Sequence, residues 1–251
     1  MSERNIKLIV EYNGTGFAGW QIQDNQRTIQ GELTHAIHRV TGCTVDVVGA
    51  GRTDAGVHAL GQVANFSINH GLDAARFREA LNFYLPREIR VKQSSEVPLA
   101  FHARFGARFR HYRYLLAADE SALYYDLRWE YLQQLDYDLL RQAAALVAGE
   151  HDFRSFCITA SLKDDNRCTV DHSRWFRIGP LFVYEIRANR FLHSMVRSLV
   201  GAMVNLGSVK QDNNLRNLTL SRFESILHGQ VDERVVFTAP ACGLYLVNVD
   251  Y

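Results

Sequence analysis

Apolar and polar residues alternate from Ile6 to Tyr12, with Ile6, Leu8, Val10 and Tyr12 on one side. A period of two predicts a strand over 6–12. After Thr28 the period lengthens. Ile29, Leu33, Ile37 and Val40 recur at helical spacing, and Thr28 is a residue type that caps a helix start. Two further strands are predicted over 44–49 and 60–68, joined by a glycine-rich stretch. Asp73 is placed to cap a second helix carrying Phe77, Ala80, Leu81 and Tyr84, and Pro86 ends it. A strand over 88–93 completes the order β-α-β-β-α-β, a ferredoxin-like unit.

The second half repeats this order without repeating the sequence. It predicts a strand over 105–117, a helix from Asp136 to about Ala148, and strands over 167–178 and 181–188. A helix over 191–206 and a shorter one over 220–228 follow, then a strand from Leu244 to Val249. Ser221 to Glu224 fits a capping box and Gly229 a helix stop. The predicted class is α+β, with ferredoxin-like halves over 1–100 and 101–251. No low-complexity linker separates them, so their connection is expected to be packed.

Composition narrows the partners only slightly. The formal net charge of +1 announces no polyanion, so any electropositive site must come from local clustering. Cys43, Cys157, Cys168 and Cys242 form no C-x-x-C pair, and neither histidines nor cysteines show metal-ligand spacing. No metal site is expected, and the thiols fit a reducing compartment. The polar start lacks a signal-peptide pattern, and no apolar run is long enough to span a bilayer. A cytoplasmic protein with no membrane partner is expected.

Three segments carry candidate chemistry. In Gly49 to Ala59, three glycines within eight residues relax the backbone around Arg52, Thr53, Asp54 and, just beyond, His58. Such a loop can present a catalytic carboxylate, although Asp54 can equally cap a turn. The run from Phe101 to Tyr114 contains four arginines and no acid. If 104–114 is extended, Arg104, Arg108, Arg110, Tyr112 and Tyr114 share one face, suited to phosphates and stacked bases. A charged edge strand needs fewer cations than this. In the third segment, His193 and Arg197 flank the apolar face of the predicted 191–206 helix. Arg197 can hold a buried carboxylate, Asp54 being one candidate, or can snorkel to solvent.

Taken together these segments resemble the TruA family of tRNA pseudouridine synthases. Gly51-Arg52-Thr53-Asp54-Ala55-Gly56-Val57-His58-Ala59 is similar to that family's signature loop. Lys7 to Gln21, ending in Gly19-Trp20-Gln21, is similar to its opening strand and turn. Phe101 to Phe105, Tyr112 to Tyr114, Phe191 to Arg197 and Gly243 to Leu246 follow in the family's order. Asn13 and Gly106 depart from residues frequent in the family, and 118–170 carries less of the pattern.

The resemblance implies the pseudouridine synthase fold, with two antiparallel ferredoxin-like halves flanking a central cleft. It implies an isomerase that converts uridine to pseudouridine at positions 38, 39 and 40 of the tRNA anticodon stem-loop, as a homodimer and without a cofactor. By the same match Asp54 is the catalytic aspartate and Arg52 helps displace the target base. Tyr112 stacks on the uracil and Arg197 is the aspartate's basic partner. A non-catalytic RNA-binding protein is the main alternative, but it leaves the Arg52–Asp54 loop without a purpose. A glycosidase-like carboxylate pair would need a second acid in a comparably special loop, and Asp152, Asp164 and Asp165 are ordinary candidates.

Overall fold

The computed structural model describes residues 2–208, 218–231, 233–235 and 237–251. It is a mixed α+β structure built on mostly antiparallel sheet. The chain forms two compact units. One comprises the chain through Arg108 together with Tyr245–Tyr251; the other comprises Phe109–Leu244.

In the first unit, β1 (Arg4–Tyr12) lies between β3 (His58–Ile68) and β4 (Ile89–Val97), antiparallel to both. The alternation that predicted β1 is its burial pattern: Ile6, Leu8 and Val10 are fully buried. The short β2 (Val48–Gly49) pairs antiparallel with β3, through Val48 opposite Asn65 and Gly49 opposite Ala64. It is shorter than the predicted 44–49 strand. Helix α1 (Ile29–Thr41) starts where expected, with Thr28 Oγ1 accepting the Gly31 N–H at 3.2 Å. Asp73 caps a 3₁₀ turn, Ala74–Arg76, that leads into α2 (Phe77–Tyr84). Phe77 packs edge-on against Phe66 of β3, which helps tie the helix to the sheet.

In the second unit, β5 (Phe109–Ala117) pairs with β9 (Leu181–Ala188). Next come β8 (Arg167–Ile178) and β7 (Gly149–Asp152), all neighbours antiparallel. A two-residue strand, β6 (Trp129–Glu130), runs parallel to β5. Helix α3 (Tyr137–Val147) is capped by Asp136, whose carboxylate accepts the N–H groups of Asp138 and Leu139 at 3.0 Å. Helix α4 (Met195–Gly207) is buried at every position except Arg197, so it forms the unit's central helix. Helix α5 (Leu220–Leu227) is capped by Thr219, not Ser221: the Arg222 N–H donates to Thr219 Oγ1 at 3.2 Å. Strand β10 (Leu244–Asp250) follows the second unit in sequence, yet it lies parallel to β3, with Tyr245 opposite His58 and Leu246 opposite Ala59.

Two more expected elements are shorter than their patterns. The predicted 105–117 strand begins at Phe109, because 101–106 folds into a turn closed by the Gly106 N–H on the His102 carbonyl at 2.9 Å. The predicted 191–206 helix begins at Met195, because Ser194 has a left-handed φ of 59° that no α-helix continues through. Cys157 and Cys168 are free and buried; burial pushes both thiols up, Cys168 to about 11, so they behave as small apolar residues.

Across β5, β9 and β8 the residues Arg113, Glu185 and Arg174 stand directly opposite one another. Arg113 reaches Glu185 Oε1 at 2.5 and 3.0 Å, and Arg174 reaches Oε2 at 2.8 and 3.1 Å. Glu185 is buried and burial alone would raise its pKa. The hydrogen bonds from Arg174 and Arg113 outweigh that and hold the carboxyl below the ordinary glutamate range. A depressed pKa contributes stability above the unfolded-state value and loses it as pH falls through the folded value. Glu185→Gln is therefore expected to cost about 1–2 kcal/mol near neutral pH, discounted for the exposed arginines. The gap to wild type should close as pH drops below the glutamate range, checked by urea unfolding across a pH series.

Candidate active site

The Gly49–Ala59 loop is shaped by the segment that leaves β1. Tyr12 is buried at the end of that strand, and its hydroxyl lies 2.7 Å from Thr53 Oγ1. Burial pushes the Tyr12 phenol up to about 12, with the Thr53 and Gln62 side chains opposing, so Tyr12 is a neutral hydrogen-bonding post. The Trp20 N–H donates to the Thr53 carbonyl at 3.0 Å. Thr53 is thus held by both its side chain and its backbone, which positions the next residue, Asp54. The Asp54 carbonyl accepts the Val57 N–H at 3.2 Å and closes a turn over 54–57. Asp54 is half-buried and Arg52 exposed at the rim of this loop.

The glycines fit specific approaches. Gly19 has φ of 92°, and a Cβ there would stand 2.6 Å from the Thr53 carbonyl oxygen. At Gly14 a Cβ would stand 2.0 Å from the Val57 carbonyl oxygen. Only backbone without side chains can pack this closely against the loop. On the other side, Gln62 Nε2 donates to the Gly51 carbonyl at 2.9 Å. Both flanks of the Asp54 turn are therefore anchored by buried groups.

His58 is one of those anchors. It is buried, its Nδ1 accepts the Gly14 N–H at 3.1 Å, and its ring stacks on Tyr245 with centroids 4.7 Å apart. The imidazole that follows the carboxylate in sequence is a structural support.

Tyr112 and Arg197 belong to the second unit. Tyr112 is buried on β5 opposite Ile186, with Phe191 edge-on to its ring at 5.0 Å. Arg197 Nε donates to the Ala239 carbonyl at 2.8 Å, and the Ala239 N–H donates back to the Arg197 carbonyl at 3.0 Å. The Tyr114 hydroxyl donates to the adjacent Pro240 carbonyl at 2.8 Å. This strap over α4 fixes the guanidinium stem.

The basic run does not form one strand face. Arg104 lies in the 101–106 turn. Arg108 donates its backbone N–H to Asp250 O at 2.8 Å and its guanidinium to Tyr251 O. Arg110 sits in β5, where it donates to the Asn189 carbonyl at 2.8 Å. Because β5 starts at Phe109, alternation extends to Arg110, Tyr112 and Tyr114 but not to Arg104 or Arg108. Arg113, on the opposite face, is neutralised by Glu185.

Sequence reasoning misses Tyr12, Gln62 and the Ala239–Pro240 strap. The glycine at 14 and the Gly19-Trp20 pair are visible signals. Nothing local marks Gln62 or Ala239, whose roles arise from residues distant in sequence. Among the described residues no cluster of three or more histidine, cysteine, aspartate or glutamate side chains could hold a metal, and no helix is long and apolar enough to cross a membrane.

The loop thus presents one carboxylate, Asp54, from a turn anchored on both flanks. Comparison with known proteins identifies the family. A family model described as tRNA pseudouridine synthase matches residues 8–106 and 143–251. The chain belongs to this family. It is 40% identical to tRNA pseudouridine synthase A of Acetivibrio thermocellus, over 99% of this chain and 100% of that protein. It is 41% identical to the protein of the same name from Chlorobium luteolum, over 99% of this chain and 96% of the relative. The tRNA pseudouridine synthase A of Rippkaea orientalis is 40% identical, over 99% of this chain and 84% of its own length.

Proposed function

We propose that this protein isomerises uridine to pseudouridine at positions 38, 39 and 40 in the anticodon stem-loop of tRNA, with Asp54 as the essential carboxylate. The observation that carries the reading is the Gly51–Ala59 loop, held from both sides, in a chain that matches tRNA pseudouridine synthases over nearly its whole length. The two units act as ferredoxin-like halves, the first supplying the Asp54 loop and the second Tyr112 and Arg197. For the first half, the strand neighbours β4-β1-β3-β2 support that assignment.

The reaction breaks the C1′–N1 glycosidic bond and forms a bond from C1′ to C5 of the same uracil, with loss of the C5 proton and protonation of N1. Nothing is oxidised and no group passes between molecules, so the chemistry calls for no cofactor. The target uridine must first leave the stack, at a cost of about a few kcal/mol. Arg52, exposed on the loop, is placed to occupy the vacated position or hold a phosphate. Stacking of the extruded uracil on Tyr112 offsets part of the cost. Arg197, its stem fixed by Ala239, serves as the basic partner of Asp54. Tyr112 is the candidate to take the C5 proton, directly or through water. Arg104, Arg108 and Arg110 contact the tRNA backbone, and the enzyme works as a cytoplasmic homodimer.

Mapping pseudouridine in tRNA from cells lacking this protein tests the reading: loss at 38, 39 and 40 supports it, and an unchanged map defeats it. For the arginines, the double change Arg108→Glu and Arg110→Glu should weaken tRNA binding. It should also flatten the dependence of log affinity on log salt by roughly 0.7–0.9 for each phosphate that is no longer neutralised. Filter binding across a salt series measures the slope; an unaltered slope places those phosphates elsewhere.

A further inference from the structure

Phe105 is 78% exposed, yet the turn that carries it is firmly built. His102 Nδ1 accepts the N–H groups of both Arg104 and Phe105 at 3.2 Å. The imidazole lies 4.5 Å from the Phe105 ring at 32°, and the Arg104 guanidinium carbon 5.6 Å from it. Beneath the turn, Ala103 is fully buried. Its N–H donates to Asn65 Oδ1 and its carbonyl accepts the Tyr251 hydroxyl, both at 2.8 Å. Gly106 completes the turn under the His102 carbonyl, where a Cβ would come within 3.0 Å.

An aromatic ring held in solvent by a buried foundation has already lost the freedom that binding would otherwise remove. Its surroundings select the occupant. The Arg104 guanidinium stands beside the exposed ring, and Arg108 is exposed three residues further along the same segment, so this single protruding aromatic side chain is accompanied by positive charge. A protein partner would need a broader apolar patch. A single unpaired nucleobase, with a phosphate on either side, matches both the size and the charge. We infer that Phe105, with Arg104 beside it, is a stacking platform for one unpaired base of the RNA substrate. This rests on tRNA as substrate but not on any catalytic role for Asp54.

The test uses the full-length protein and unmodified tRNA. Phe105→Ala and Phe105→Leu should each weaken binding by about 5- to 150-fold, while Phe105→Tyr stays close to wild type. Turnover at saturating tRNA should be unchanged for all three, so the loss appears in KM. In Phe105→Trp, the new indole should be quenched by tRNA beyond any change in the native protein, whose Trp20 and Trp175 are buried and whose Trp129 is half-buried. Wild-type affinity in Phe105→Ala, or in Phe105→Leu, overturns the platform. So does a change in sedimenting mass in Phe105→Ala, which assigns the ring to a protein contact. If wild-type protein forms no pseudouridine while Phe105→Ala still loses RNA affinity, the catalytic reading falls and the platform stands.

Discussion

Asp54→Asn should bind tRNA as wild type does and form almost no pseudouridine, a loss of about 10²–10⁴-fold or more in turnover. Asparagine has nearly the same shape, and the Asp54 backbone carbonyl that closes the turn is unchanged by the substitution. The loop's anchors, Tyr12, Trp20 and Gln62, are untouched by the change. What disappears is the negative charge and the ability to act as nucleophile or base. Gel-shift titration with tRNA and pseudouridine mapping of the product separate binding from chemistry. Weakened binding in step with activity would mean that the side chain only positions RNA.

Gly14→Ala is the second large effect. The added methyl would sit 2.0 Å from the Val57 carbonyl oxygen and 2.7 Å from its carbon, inside any tolerable contact. The obstacle is backbone, which cannot rotate away as a side chain tip can. Overpacking of this kind costs about 1–3 kcal/mol. The larger consequence is displacement of the 54–57 turn, and a shift of about 1 Å at a reacting group can cost roughly 10²-fold in rate. Thermal unfolding and turnover measured together should show a folded protein with far more activity lost than stability. Wild-type activity in Gly14→Ala would show that the turn does not need the close approach seen at Gly14.

Much of the architecture follows from local pattern. Strands β1, β8 and β9 and helices α1 and α3 lie within a residue or two of their periodic signals, because each buries one face against the core. The misses share a cause. Residues 105–108 read as strand, but the His102 side chain accepts the Arg104 and Phe105 N–H groups and draws the chain through 106 into a turn. Residues 191–194 carry helical spacing, but Ser194 adopts a left-handed backbone that no periodicity reveals. Strand β7 gives no sequence signal, because Gly149 to Asp152 carries no alternating apolar residues; it is held by pairing with β8. Likewise, β10 follows the second half in sequence yet pairs with β3, a choice made by contacts and not by order.

The site is legible in its reactive groups and illegible in its support. Arg52, Thr53 and Asp54 stand out because three glycines surround them. That Thr53 is clamped between Tyr12 and Trp20, or that His58 stacks on Tyr245, depends on residues up to 187 positions apart along the chain. The arginines of 104–113 look alike in sequence. Folding distinguishes them: Arg113 meets the buried Glu185, Arg108 the Tyr251 carbonyl, and Arg104 the ring of Phe105.

The most direct measurement is release of tritium from tRNA labelled at uridine C5, with purified enzyme in excess over tRNA. Direct participation of Asp54 in the reaction predicts prompt release by the wild-type protein and none above background by Asp54→Asn at equal tRNA occupancy. No release by wild type, or release by the asparagine variant at a comparable rate, would contradict it.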